Sequence, residues 1–193
     1  MKNNLQIVLS MLHGTDRDAD DPVAKARMKT LAGRVQTLAQ IHQLLYQRYD
    51  TAAPELGSYV RQLTTLLGEF YEAEVGPTKV GAEVADIDLT LSQCISFGLV
   101  LNELVANAQK HAFKEGEKGQ ISIVIRAETV EGVTHVHLTV SDDGVGLPAD
   151  YDLEDATSTG SRLLRALAQS LEGDIWCERL QPGTAMHVRF PVG

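Results

Sequence analysis

The apolar positions in the first fifty residues recur at the spacing of helices. Near the start, four of them follow an i, i+3, i+4, i+7 pattern: Leu5, Val8, Leu9 and Leu12. Between Met28 and Leu45 the apolar positions alternate steps of three and four, which is typical of an a/d seam. We therefore predict a helical hairpin over residues 1–50. Such a hairpin cannot bury its own apolar stripe, so we expect a second copy to complete a four-helix bundle.

After a linker at residues 51–54, the pattern predicts a second domain that mixes helices and strands over residues 51–193. Apolar residues recur at helical spacing over about 56–70, 94–110 and 163–171. Strands are expected around residues 72–75, 80–84, 121–125, 135–140, 174–178 and 186–190, several of which alternate with period two. Glu131 and Gly132 supply a hairpin turn. The predicted fold class is α+β, with the hairpin followed by an α/β sandwich and a mixed, mostly antiparallel sheet.

Composition and charge narrow the classes of protein that this chain can belong to. Among 193 residues, 26 acidic side chains outnumber 17 basic ones, and the net charge of −9 argues against a nucleic-acid surface. No run approaches the roughly 18 apolar residues of a membrane span, and no signal peptide opens the chain, so we expect a cytoplasmic location. Cys94 and Cys177 lack metal-ligand spacing, and we predict reduced, buried thiols.

The first polar motif lies on the predicted helix that ends near Lys110. Glu103 and Asn107 are four residues apart and therefore share one helix face. An amide oxygen suits Mg²⁺ when phosphates supply most other ligands, and Lys110 adds a cation for phosphate oxygens. A solvated polar face that ends in Lys110 and His111 is the alternative explanation.

The second motif follows a predicted strand directly. Gly144 and Gly146 allow the backbone to approach a ligand closely. Asp142, at the end of the strand, can accept a hydrogen bond from an exocyclic amine in a closed pocket. The same sequence is also typical of an ordinary Asp-Gly turn, which is the alternative explanation.

Two further motifs are weaker by themselves. Residues 158–161 open a helix, and the free N–H groups of a helix start can hold an anion, although a simple helix cap has the same composition. Gly183 and Thr184 precede the last predicted strand, where they are also typical of a turn.

The order and spacing of these motifs are far more specific than each alone. In chain order the motifs are the helix N-E-L-V-x-N-A-x-K-H, then D-D-G-V-G-L-P, then G-S-R-L-L and finally G-T. Together they resemble the Bergerat ATP-binding fold of the histidine-kinase, gyrase and Hsp90 superfamily. Upstream, K-N-N-L-Q at residues 2–6 resembles the tail of the H-R-x-K-N-N-L-Q phosphoacceptor box. That box is found in the HWE/HisKA2-like histidine kinases, whose members often follow PAS, LOV or GAF sensors. The resemblance covers nearly the whole chain.

The resemblance implies a role for each polar position of the four motifs. Asn107 would be the Mg²⁺ ligand, Asp142 would bind the adenine amino group, and Glu103 would be the catalytic, polarising acid. Residues 147–159 would form a mobile lid over ATP. The residues that it implies in cofactor binding are Asn107, Lys110, His111, Asp142, Gly144, Gly146, Gly160, Ser161 and Thr184.

The function implied is that of a sensor histidine kinase core, which binds Mg²⁺ and ATP and moves the γ-phosphoryl group to a histidine. The next acceptor would be an aspartate in the receiver domain of a response regulator. A homodimer through the hairpin and an N-terminal sensor domain in the full-length protein are also implied. The box histidine would lie three residues before Lys2, so we expect this chain to bind ATP without autophosphorylating. Because Ser161 and Arg162 follow Gly160 where relatives have G-x-G, we expect modest ATP affinity.

Two alternatives stay open at this point. A degenerate family member could be a non-catalytic or phosphatase-type module that docks a response regulator through the hairpin. A serine kinase that binds a sigma factor uses the same nucleotide fold, although the N-terminal helices disfavour it. The remaining histidines are predicted to have no role in catalysis. His42 lies in the seam and His13 at a helix end, and the surface residues of strands are His135, His137 and His187.

Overall fold

A computed structural model describes one part of the chain, residues 61–63, 65, 79–114, 117–148, 151–153 and 159–192. The chain divides after Pro54, and every described residue belongs to the second unit, Glu55–Gly193. The predicted hairpin over residues 1–50, with His13 and His42, therefore lies outside the described residues, as does the strand expected at 72–75. Of the helix predicted over 56–70, only residues 61–63 and 65 are described, and they are helical.

The described residues form a five-stranded sheet and two long helices. The strands are β1 Lys79–Val84, β2 Gln120–Val130, β3 Val133–Asp142, β4 Asp174–Arg179 and β5 Thr184–Pro191, and the helices are α1 Leu91–His111 and α2 Thr159–Ser170. The sheet order is β1-β2-β3-β5-β4. β1 runs parallel to β2, and the other three pairs are antiparallel. The predicted mixed, mostly antiparallel sheet is confirmed for this part of the chain.

Alternating side chains on β2 and β3 define the inner face of the sheet. Ile121, Ile123 and Ile125 are fully buried, and in register with them Val140 and Leu138 face the same side. The turn between the strands has φ 53° at Glu131 and φ 82° at Gly132. Positive φ at both central residues is the geometry of a type I′ turn, which matches the twist of the strands. The predicted β-hairpin turn at Glu131 and Gly132 is confirmed.

Helix α1 packs on that inner face and starts at a capping box. The Thr90 side chain accepts a hydrogen bond from the Gln93 backbone, and the Gln93 side chain accepts one from the Thr90 backbone. Phe97 is fully buried, and its ring centroid lies 6.0 Å from that of Phe190 on β5. The core therefore lies between the sheet and the two helices, and the last turn of α1 reaches the sheet edge where β3 ends.

The histidines of the outer face differ from their prediction as surface residues. His135, His137 and His187 are half-buried. The His187 ring stacks on Trp176 at 5.1 Å and 12°, and its Nδ1 lies 3.3 Å from His137 Nε2. Because β3, β5 and β4 are neighbours, side chains far apart in sequence cover one another on this face.

Both cysteines are free, as predicted, and Cys94 is buried whereas Cys177 on the edge strand β4 is half-buried. In the part of the chain that the structure describes, neither helix has the length and apolarity to cross a membrane.

Candidate nucleotide-binding site

The polar motifs meet where β3 ends, β5 begins and the two helices approach the inner face. Asp142 is in register with Thr184, and Thr184 is in register with Arg179 on β4. Asp142 has the same strand parity as the buried Val140, so this row faces the helices. Thr184 is buried and Asp142 is half-buried. The three residues of this row therefore lie on the face of the sheet that the two helices cover.

Asp142 carries the only carboxylate in that row. Its Oδ1 accepts a hydrogen bond from the Gly144 backbone N–H at 3.0 Å, and the Thr184 backbone N–H also donates to it. Burial nevertheless raises the pKa of the Asp142 carboxyl above its usual value, and the neighbouring Asp143 adds to that rise. An ionised carboxylate has about four acceptor positions, so Asp142 retains capacity for an amine donor.

Gly144 and Gly146 bring the loop after β3 into backbone contact with its surroundings. A Cβ atom at Gly144 would lie 2.1 Å from the Ala112 carbonyl oxygen, which also accepts from Val145 N–H at 2.9 Å. Gly146 has φ +75°, and its Cβ position lies 3.2 Å from the Gly183 carbonyl oxygen. A larger residue at Gly144 would displace the loop from the end of α1, which explains why this motif is rich in glycine.

Gly160 places the start of α2 against the polar face of α1. Its Cβ position lies 2.8 Å from Glu103 Oε1 and 3.8 Å from Asn107 Oδ1. Glu103 is 5% exposed and Ser161 is 7% exposed, whereas Asn107 is half-buried. The predicted shared face of Glu103 and Asn107 is therefore confirmed, and it lies at a helix N-terminus that can hold phosphate.

The donor set fits a magnesium nucleotide. Within the described residues, no three His, Cys, Asp or Glu side chains are grouped closely enough to hold a metal ion. The Asn107 amide oxygen and the Glu103 carboxylate are hard oxygen ligands, and Mg²⁺ commonly takes one or two protein oxygens with phosphates and waters.

Lys110 and His111 lie in the last turn of α1, where both are exposed. The His111 ring is nevertheless partly buried, and this burial, together with the charge of Lys110, lowers the pKa of His111 below its usual value. The neutral imidazole is therefore favoured, and Lys110 is the cation that this turn offers to a phosphate. Their roles as phosphate contacts remain predictions.

Two arginines that the motifs do not mark contact the loop after Gly146. Arg179 Nη2 donates to the carbonyl oxygens of Pro148 and Tyr151, each at 3.1 Å, and Arg165 Nη1 donates to that of Leu153 at 3.1 Å. Main-chain carbonyls belong to every residue type, so no sequence signal could have identified these contacts.

The described residues form an α+β fold in which the polar motifs meet between a mixed five-stranded sheet and two helices. A family model of histidine kinase-, DNA gyrase B- and HSP90-like ATPases matches residues 95–193, and a histidine kinase family model matches residues 1–71. The chain belongs to the family of histidine kinase-, DNA gyrase B- and HSP90-like ATPases. The resemblance inferred from the motifs is confirmed.

Two curated histidine kinases are similar over the whole chain. Blue-light-activated histidine kinase 2 of Erythrobacter litoralis is 28% identical over 200 residues, which are 100% of this chain and 55% of that protein. The sensor histidine kinase PdtaS of Mycobacterium tuberculosis is 28% identical over 196 residues, which are 100% of this chain and 38% of PdtaS. The chain thus spans about half or less of these relatives.

A solved structure and a shorter relative extend the comparison. The histidine kinase domain of the Erythrobacter litoralis EL346 blue-light activated histidine kinase has a TM-score of 0.70 at 23% identity, covering 98% of this chain and 96% of that one. The anti-sigma F factor of Geobacillus kaustophilus is 40% identical over 77 residues, which are 40% of this chain and 48% of that protein. The first likeness shows a shared fold.

Proposed function

We propose that this chain is the ATP-binding and phosphoryl-transfer core of a sensor histidine kinase. The observation that carries the proposal is the contact of Gly160 with Glu103 and Asn107. It sets a helix N-terminus beside the Asn107 amide oxygen, the candidate Mg²⁺ ligand, and the Glu103 carboxylate, the candidate proton acceptor. Asp142 lies at the end of β3, the central strand of the sheet. Phosphoryl transfer depends on positioning and on charge neutralisation, and this arrangement supplies both.

Asp142 would select the base of the nucleotide. Its carboxylate would accept a hydrogen bond from the exocyclic amine of adenine. Guanine has a carbonyl at the corresponding position, and a carbonyl cannot donate that bond. The buried Thr184, in register with Asp142, lines the same wall. Gly144 and Gly146 shape the loop that would lie along the base.

Asn107, Lys110 and the start of α2 would hold the phosphates. Asn107 Oδ1 would ligate Mg²⁺, which supplies charge neutralisation between phosphate oxygens when bound. Backbone N–H groups near Gly160 and Ser161 would donate to phosphate oxygens, and Lys110 would add a mobile cation. The buried Glu103 would polarise the attacking imidazole and accept its proton.

In the reaction, an imidazole nitrogen forms a bond to the γ-phosphorus as the bond to the β–γ bridging oxygen breaks and ADP leaves. The phosphoryl group then passes to an aspartate of a response-regulator receiver domain. The similarity to sensor histidine kinases over the whole chain supports this order of transfer. We further propose a homodimer through the hairpin, an N-terminal sensor domain in the full-length protein and a cytoplasmic location.

Calorimetry of Mg·ATP binding tests the first half of the proposal. We expect measurable binding below millimolar concentration, and at least tenfold weaker binding for Asp142→Asn. Asp143→Asn is the matched control, because Asp143 is exposed and accepts instead from the Gln120 backbone at 2.7 Å. No binding at millimolar ATP would favour the non-catalytic docking module.

The second half is tested with radiolabelled ATP on protein that carries the complete acceptor box. Phosphohistidine is acid-labile and base-stable, and it should chase to a receiver domain. The 40% identity to an anti-sigma F factor over 77 residues favours a serine kinase as the second candidate. Acid-stable label on a serine of a partner protein would support that candidate instead.

A further inference from the structure

We propose that Arg179 is a positioning residue for the nucleotide site, which it acts on through the loop that follows Gly146. This inference rests on the proposed ATP binding. It concerns the described residues of the loop, Gly144–Pro148 and 151–153, and assigns a role to a side chain outside the four motifs.

The position of Arg179 follows from the register of three strands. Arg179 pairs with Thr184, and Thr184 pairs with Asp142. Neighbouring strands are about 4.8 Å apart, so the Cα atom of Arg179 stands about 10 Å from that of Asp142 on the same face of the sheet. The exposed side chain of Arg179 therefore leaves the sheet on the face that also carries Asp142, the candidate adenine ligand.

Arg179 donates hydrogen bonds to two main-chain oxygen atoms of the loop. Its Nη2 lies 3.1 Å from the Pro148 carbonyl oxygen and 3.1 Å from that of Tyr151. The Pro148 oxygen also accepts from the Tyr151 backbone N–H at 3.0 Å, which closes a turn. Hydrogen bonds from a charged donor are about twice as strong as neutral ones. One guanidinium thus fixes both ends of this turn.

A second arginine ties the same loop to α2. Arg165 Nη1 donates to the Leu153 carbonyl oxygen at 3.1 Å, and the Leu153 side chain is only 5% exposed. α2 is the helix whose Gly160 lies against Glu103. The loop is therefore anchored both to β4 and to the helix that would hold the phosphates.

Pro148 is two residues beyond Gly146. Because Arg179 holds the backbone at Pro148, the backbone of Gly144–Gly146 has fewer conformations available. Backbone positions that are already held by hydrogen bonds lose less conformational entropy when a ligand binds. Loss of Arg179 should therefore weaken nucleotide binding mainly through faster dissociation, without changing its dependence on Mg²⁺.

The test measures the affinity and the dissociation rate of a fluorescent ATP analogue. For Arg179→Ala we expect threefold to tenfold weaker binding, carried by the dissociation rate, and equal ratios of affinity with and without Mg²⁺. Arg179→Lys should recover part of the loss, because an ammonium group donates without the planar fork of arginine. Arg126→Ala removes the same charge from the exposed side of β2 and should behave as the wild type.

Hydrogen exchange of the nucleotide-free protein separates this inference from the proposed function. The Tyr151 amide should exchange faster in Arg179→Ala, whereas the Val145 amide, bonded to Ala112, should stay protected. A wild type that binds no ATP would overturn the proposed function, whatever the exchange shows. Wild-type binding with unchanged affinity in Arg179→Ala, or an equal loss in Arg126→Ala, would overturn the positioning role.

Discussion

The Cβ position of Gly160 lies 2.8 Å from Oε1 of Glu103, which is too close for a real side-chain carbon. The first turn of α2 and the polar face of α1 are therefore separated by hydrogen atoms alone at this point. The contact also explains why a glycine stands in the first turn of α2.

We expect Gly160→Ala to impair the proposed phosphate end of the site without unfolding the protein. The added methyl group must displace the Glu103 carboxylate, while the better helix propensity offsets part of the strain. Mg·ATP affinity should fall at least tenfold, and the thermal midpoint should change by only a few degrees. Gln169→Ala, at an exposed position of the same helix, is the control. Unchanged affinity would mean that the nucleotide does not use this contact.

Removal of the Asn107 amide should abolish the effect of magnesium on ATP binding. Its Oδ1 lies 3.8 Å from the Gly160 Cβ position, at the helix start that would hold phosphate. In Asn107→Ala we expect the affinity measured with Mg²⁺ to drop to the wild-type value in EDTA, and the affinity in EDTA to stay the same. An equal loss with and without Mg²⁺ would instead assign Asn107 to the nucleotide itself.

Local pattern was sufficient to predict most of the described elements. The alternation of Ile121, Ile123 and Ile125 predicted a buried strand face, and the apolar spacing of α1 predicted its end within one residue. β5 begins at Thr184 rather than at the predicted residue 186. The extra pairing comes from the contact of Thr184 with Asp142, which depends on a distant strand.

What the sequence could not predict depends on strand order. The stacking of His187 on Trp176 and its contact with His137 require β5 to lie between β3 and β4. The contacts of Arg179 with Pro148 and Tyr151 depend on the same arrangement. Strand order arises from long-range packing, and no periodicity within a strand encodes it.

The two cysteines should differ sharply in their reactivity in the native protein. Cys94 is buried in α1, and burial raises the pKa of its thiol from 9.0 to about 12. Three units correspond to about a thousandfold less thiolate, which is the reactive form. With iodoacetamide we expect modification of Cys177 alone in the folded protein and of both cysteines in denaturant.

Mass spectrometry of the labelled peptides measures this difference. Cys177→Ser provides the control, since its folded form should take up no label. Labelling of Cys94 in that variant at the rate of a free thiol would contradict the prediction. It would show that the first turn of α1 opens readily enough to expose this thiol to solvent.

Lowering the pH should weaken ATP binding and stabilise the fold through one residue, Asp142. Burial raises the pKa of its carboxyl above 3.8, so the group becomes neutral at a higher pH than an exposed aspartate. A neutral carboxyl is a poorer acceptor for the adenine amine, and affinity should therefore fall as the pH falls through the raised pKa. The advantage of the wild type over Asp142→Asn in ATP affinity should be large at about pH 7.5 and should shrink as the pH falls through the raised pKa. Comparison with this variant cancels the protonation of ATP and of His111.

The effect of Asp142 on stability has the opposite sign. Because the folded state binds this proton more tightly than the unfolded state, the buried charge lowers the free energy of unfolding at neutral pH, and that penalty fades as the pH falls. Asp142→Asn should therefore raise the thermal midpoint at about pH 7.5, and this gain should shrink as the pH falls through the raised pKa. Asp174→Asn, at an exposed position five residue pairs away from Asp142 in the register of the sheet, should show neither trend. A midpoint that falls in Asp142→Asn at neutral pH would show that the hydrogen bonds from Gly144 and Thr184 outweigh the cost of burial.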